Sequence, residues 1–128
     1  GKRGVKKTLK GHSLPVWSII EITPSKVLAT GSADFTIKIW DQEISRTMQT
    51  LIGHSAPIWC MTKLDEMLIA SGSEDCFIKV WDWEYGDCVR TLLSHSYSIW
   101  GLDVDEEGNV GSGSWDKTVK IWNVKNKQ

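Results

Sequence analysis

Long apolar runs are missing from this chain. Nowhere do about 18 apolar residues follow one another, which argues against a membrane-spanning helix. The basic start, Gly1-Lys2-Arg3-Gly4-Val5-Lys6-Lys7, has no apolar stretch behind it, which argues against a secretory signal. Cysteine is scarce, and Cys60, Cys76 and Cys88 show no Cys-x-x-Cys spacing and leave an odd thiol. That pattern points to free thiols in a reducing, cytoplasmic or nuclear compartment rather than to a disulfide framework. Net charge is nearly absent too: -1 over 128 residues, which disfavours a dedicated nucleic-acid binder. Phe and Tyr number two each, whereas Trp numbers eight. An imbalance of that kind points to one Trp-bearing unit that has been copied.

The copies are visible by spacing. Trp40-Asp41, Trp81-Asp82 and Trp122-Asn123 recur every 41 residues, as do Asp34, Asp75 and Asp116. Gly11-His12, Gly53-His54 and Ser94-His95 mark the opposite end of each unit, 42 and then 41 residues apart. The additional residue falls between Trp17 and Asp34, near Thr23-Pro24-Ser25-Lys26, where a turn tolerates insertion. Three repeats, about 5–45, 46–87 and 88–128, therefore cover a chain whose length suits one domain.

Within each unit the patterning is that of strands. Val16–Ile20 and Ile58–Met61 are short β-prone runs, and Val27–Ser32 and Leu68–Ser73 are apolar runs closed by turn residues. Thr36–Trp40 and Phe77–Trp81 alternate around a central Lys, while Arg46–Leu51 and Cys88–Leu93 are amphipathic. No window carries a capped helical period. The expectation is all-β, with three four-stranded antiparallel sheets per chain, each too small to stand alone and each stacked on the next.

Trp-Asp closing the third strand, Gly-His ahead of the first, and Ser-Gly-Ser-x-Asp between the second and third (Thr30 replacing the first Ser in copy one) resemble the WD40 repeat, whose period also lies near 41 residues. The resemblance implies β-propeller blades and no enzymatic activity. Ser94 and Asn123 depart from the family pattern, and Ser94 is expected to remove a permissive backbone position. In the family, the matching His, Ser or Thr, Asp and Trp form a hydrogen-bonded chain. Here these are His12, Thr30, Asp34 and Trp40; His54, Ser71, Asp75 and Trp81; and His95, Ser112, Asp116 and Trp122.

These groups could pass for a hydrolase triad, but a buried indole N–H needs an acceptor, and a hydroxyl can serve and pass the chain on to His. Three copies also suit a structural network better than a catalytic one. No two His or Cys residues have the spacing of a zinc site. Gly111-Ser112-Gly113-Ser114 lacks the Gly-Lys and helix of a phosphate loop. No catalytic, metal or cofactor residues are assigned.

A second Trp series, Trp17, Trp59 and Trp100, follows an apolar residue at the start of each first strand. The resemblance places this position at the entrance of the propeller channel, beside the residue before the turn Asp: Ala33, Glu74 and Trp115. Two readings stand: indoles that line or pack the channel, or an aromatic surface that binds a partner. Arg3, Arg46 and Arg90 all lie off this rim, which disfavours phosphopeptides. Indoles with Glu74 suit a protein or peptide with apolar or cationic side chains.

Propellers typically close with about 4–8 blades, so three call for oligomerisation. Val5–Lys10 matches the amphipathic strand Thr47–Ile52, and is expected to serve as an outer strand for a neighbouring chain. A homodimer of six blades is favoured over a trimer of nine. Lys residues cluster at both ends of the sequence, as on guarded sheet edges. Function is thus read as a non-enzymatic interaction scaffold, with a self-assembling structural unit or engineered or excised propeller fragment, lacking an evolved ligand, as the alternative.

Overall fold

Short β-prone runs separated by Gly, Ser, Asp and Pro have no local means of satisfying their backbone groups except by laddering with each other. In the computed structural model, which describes residues 4–124, they form eleven strands in three antiparallel sheets. The first sheet contains β1 (Val16–Thr23), β2 (Val27–Ser32), β3 (Ile37–Asp41) and β4 (Arg46–Leu51) in that order. The second repeats the meander with β5 (Ile58–Lys63), β6 (Leu68–Ser73), β7 (Phe77–Asp82) and β8 (Asp87–Leu93). The third holds β9 (Ile99–Val104), β10 (Val110–Ser114) and β11 (Val119–Trp122). Register repeats with the sequence: Ala29 faces Ile39 as Ala70 faces Val80. The inserted residue is absorbed in the turn after β1, where Lys26 N–H donates to the Thr23 carbonyl.

Each small sheet has two apolar faces and gains stability only by stacking. Between the first and second sheets, Ile37, Ile39, Leu51, Ile58 and Met61 form one buried cluster. Between the second and third, Ile78, Val80, Ile99 and Val110 form another, with Leu92 and Leu102 packed against it. The sheets approach closely because a glycine stands at each contact. A Cβ on Gly31 would lie 2.8 Å from Ile58 Cγ2, and one on Gly72 would lie 2.7 Å from Ile99 Cγ2.

Two expectations need correction. Sheets and sequence repeats are offset, because β4 and β8, which open the second and third repeats, complete the sheets before them. Consequently the third sheet has three strands among the described residues, not four. Val5–Lys10, expected to serve as an outer strand for a neighbouring chain, forms no strand within this one. Residues 1–3 and 125–128, including Lys125 and Lys127 of the basic end, lie outside the described residues. Finally, Gly11 and Gly53 are not among the positive-φ residues. Their role is space: a Cβ would meet Trp40 Cη2 at 2.9 Å or Trp81 Cη2 at 3.1 Å. Ser94 at the third site is buried and donates its hydroxyl to the Cys76 carbonyl. No helix of the described residues is long and apolar enough to cross a membrane.

Candidate functional site

The first Trp series sits at the ends of β3, β7 and β11, with its indoles turned onto the middle of the neighbouring strand. Trp40 Nε1–H donates to Thr30 Oγ1 at 2.8 Å, Trp81 to Ser71 Oγ at 2.8 Å, and Trp122 to Ser112 Oγ at 3.1 Å. The same hydroxyls lie 2.7, 2.7 and 2.8 Å from Nε2 of His12, His54 and His95. The Nδ1 atoms reach Asp34, Asp75 and Asp116 at 2.9, 2.8 and 2.8 Å. One proton order satisfies every member: indole N–H to hydroxyl, hydroxyl to Nε2, Nδ1–H to carboxylate.

The carboxylates do further work. Asp34 accepts the amides of Ser13 and Thr36, Asp75 those of Ser55 and Phe77, and Asp116 those of Ser96 and Thr118. Burial works to raise the Asp34 carboxyl, yet hydrogen bonds from Thr36, His12 and Ser13 outweigh it and hold the group below the usual range. Asp75 is lowered in the same way, by His54 and the amides of Phe77 and Ser55 against its burial. The Thr118 hydroxyl is the main cause at Asp116, helped by His95. Thr36 and Thr118 each donate a hydroxyl at 2.6 Å, whereas Phe77 stands at the matching place in the second sheet. Two copies thus carry an additional donor that motif spacing alone had not singled out.

Such a Ser–His–Asp order resembles a nucleophile relay, but its hydroxyls are already engaged by indole N–H groups, and Ser71 and Ser112 are buried. The arrangement ties the loop before each first strand to the turn after each second strand. Those turns put Phe35, Cys76 and Lys117 at φ of 76°, 75° and 74°.

The second Trp series is set by a shared irregularity. Register shifts between Val16 and Ser18 and between Ile58 and Cys60, and β10 shifts as its pairing passes from Gly101 to Ile99. Trp17, Trp59 and Trp100 are therefore the unpaired residues of three matching β-bulges, and a bulge re-aims its side chain out of the pleat. The bulge escapes motif reading because it is a property of the ladder, not of the residue.

All three indoles turn to the same end of the sheets and form one row. Trp17 and Trp59 centroids are 4.9 Å apart at 51°, Trp59 and Trp100 stack at 4.7 Å and 13°, and Trp115 stacks on Trp100 at 4.7 Å and 15°. The turn residues join the same layer, because Ala33, Glu74 and Trp115 amides donate to the Pro15, Pro57 and Ser98 carbonyls. Trp17, Trp100, Trp115 and Glu74 are exposed, Ala33 is half-buried, and Trp59 lies half-buried between its neighbours. Trp59 Nε1 is shielded from solvent and has no acceptor among the described residues. A buried donor left so costs about 1–3 kcal/mol. Trp83, which belongs to neither series, donates its Nε1–H to the Glu66 carbonyl and packs on the first core cluster.

Comparison with known proteins agrees with this geometry. The family described as WD domain, G-beta repeat, matches residues 4–41, 45–82 and 86–123. The crystal structure of the WD40 beta propeller domain of Doa1 superposes with a TM-score of 0.85 at 29% identity, over 92% of this chain and 40% of that one. This chain thus spans 40% of the length of that domain structure. No curated protein matches it at the significance required. With all three segments matched, and three sheets that correspond to propeller blades, the chain belongs to the WD40 repeat family.

Proposed function

We propose that this chain is a non-enzymatic interaction module whose row of indoles, Trp17–Trp59–Trp100–Trp115, binds a peptide or protein segment with apolar or cationic side chains. One observation carries the reading: three bulges bring indoles from three separate blades into a continuous row, stacked from Trp59 through Trp100 to Trp115 and open at Trp17, Trp100 and Trp115. Rigid aromatics on an exposed surface are the residues that dominate binding energy. Glu74 adds a negative charge to the same layer, and indole faces attract cations. Free Cys60, Cys76 and Cys88 support a reducing, cytoplasmic or nuclear setting.

The test is fluorescence anisotropy with labelled peptide panels rich in Lys, Arg, Leu or phosphoserine, on the parent chain and on Trp100→Ala and Trp115→Ala. Cationic or apolar peptides should bind, phosphopeptides should not, and each substitution should cost about 2 kcal/mol while the sheet signal in circular dichroism persists. Binding that ignores both substitutions contradicts the reading. So does unfolding of Trp115→Ala, because an exposed turn residue would then be part of the core.

A second reading, a structural unit that assembles with copies of itself, is favoured by the bare outer faces of the first and third sheets. Homodimerisation into six blades, or a trimer of nine, belongs to this reading, and light scattering tests it.

A further inference from the structure

Trp17, Trp59 and Trp100 stand where β1, β5 and β9 begin, and the antiparallel meander carries the turns after β1, β3, β5, β7 and β9 to the opposite end of the sheets. One set of side chains at that end breaks the repeat. The turns after β5 and β7 hold Met67, Trp83 and Tyr85, where the first unit has Lys26, Gln42 and Ile44 and the third has Gly108, Val124 and Asn126. What the fold needs of every unit is present in every unit, as the three His–hydroxyl contacts are. Met67, Trp83 and Tyr85 together answer to something other than the repeat.

Their turns are held while the side chains stay open. Trp83 N–H donates to the Met67 carbonyl at 3.4 Å and its Nε1–H to the Glu66 carbonyl at 3.0 Å, which joins the two turns into one platform. Asp82 Oδ1 accepts the amides of Glu84 and Tyr85, and Gln49 of the neighbouring β4 donates to the Glu84 carbonyl at 2.9 Å. On this fixed backbone Met67 is 59% and Tyr85 71% exposed, and Trp83 is half-buried on the first core cluster. The second sheet is packed between the other two, so this exposure is not that of an end face. Adjoining apolar side chains held open to solvent mark an interaction site, and a prearranged backbone lowers the ordering cost of binding.

Charge selects the occupant. Apart from Asp34, Asp75 and Asp116 of the networks and Glu74 beside the indoles, the chain's 16 acidic residues all fall toward this end. At the platform, the carboxylates of Glu84 and Asp87 have no partner among the described residues. The basic side chains of the second sheet are engaged elsewhere. Lys63 Nζ donates to the Ile22 carbonyl at 2.7 Å and meets Glu66 at 3.4 Å, Lys79 Nζ donates to Thr91 Oγ1 at 3.0 Å, and Arg90 donates to the Val124 carbonyl at 2.7 Å. A negative surface of this kind repels the phosphates of nucleic acids and anionic lipids.

We propose that the platform of Met67, Trp83 and Tyr85 is a second docking surface, which takes a protein segment carrying an apolar side chain between Lys or Arg residues. The apolar group lies against the three anchors, and the cations meet Glu84, Asp87 and the open aromatic faces. Because this surface and the indole row lie at opposite ends, one chain holds two segments at once. Charge steers the encounter, so added salt weakens it.

The test removes the indole row first. A labelled peptide alternating Lys with Leu is titrated, by fluorescence anisotropy, into the chain carrying Trp100→Ala and Trp115→Ala. The peptide should bind, less tightly as salt rises, and a version with Glu in place of Lys should not. Added singly to that background, Tyr85→Ser and Glu84→Lys should each weaken binding about tenfold. Both side chains are exposed, so circular dichroism should not change. The indole N–H resonance of Trp83 should shift during the titration. Absence of binding to this background overturns the second surface and leaves the indole-row reading standing. Binding that ignores both substitutions, a Trp83 resonance that stays in place, or tighter binding to phosphatidylserine vesicles or single-stranded RNA than to the peptide also overturns it.

Discussion

Replacing Trp81 by Phe tests the hydrogen-bonded chain where it is most enclosed. Trp81 is 1% exposed, its Nε1–H reaches Ser71 Oγ at 2.8 Å, and its Cη2 fills the space over Gly53. Phe removes the donor, worth about 0.5–1.5 kcal/mol. It also removes part of a buried ring and leaves a gap, worth about 1–2 kcal/mol more. The expected total is about 2–3 kcal/mol, against a stability that for a domain is typically about 5–15 kcal/mol. Trp122→Phe provides the scale. Its bond is longer, 3.1 Å, and its side chain is only half-buried, so about 1 kcal/mol is expected. The assay is urea unfolding at one fixed chain concentration, reading the midpoint at unchanged slope. Ser71→Ala alone and with Trp81→Phe completes a cycle whose coupling should be about 1–2 kcal/mol. Equal costs for Trp81→Phe and Trp122→Phe, or zero coupling, would refute the assignment of these indoles to a buried network.

Other outcomes follow from the same contacts. Gly72→Val forces a side chain against Ile99 Cγ2 at 2.7 Å and Cys60 Sγ at 2.8 Å, and should abolish cooperative thermal melting. The lowered carboxyls of Asp34, Asp75 and Asp116 mean that the unfolded chain binds more protons in acid. Stability should be flat above about pH 5 and fall below it, as urea midpoints across pH will show, and Asp75→Asn should reduce that fall. Burial pushes the Cys60 thiol up to about 12, so a thiol reagent should label exposed Cys88 rapidly and Cys60 only on unfolding. Lys117→Gly relieves a φ of 74° and should raise stability by about 1 kcal/mol in urea melts, provided the turn is unchanged.

Much of this fold is legible in the sequence because each element is written three times. A run such as Leu68–Ser73 is ambiguous by itself, but its copies, at constant distance from Trp-Asp, make the strand order readable. The spacing of His54, Ser71, Asp75 and Trp81 is readable for the same reason, and the complementarity of donors and acceptors indicates which groups meet. What escaped depends on partners rather than on residues. The role of Gly11 and Gly53 was invisible because proximity to Trp40 and Trp81 is a tertiary fact. The bulges that aim Trp17, Trp59 and Trp100 leave no composition signal either, and Trp83 has no counterpart in the other copies by which to place it.

The central claim is a division of labour between two tryptophan series, and indole N–H resonances report on it residue by residue. During titration with a peptide selected from the cationic and apolar panels, the signals of Trp17, Trp59, Trp100 and Trp115 should shift. Those of Trp40, Trp81 and Trp122 should stay in place and exchange slowly with solvent. Shifts confined to Trp40, Trp81 and Trp122, or spread evenly over all eight indoles, would contradict it.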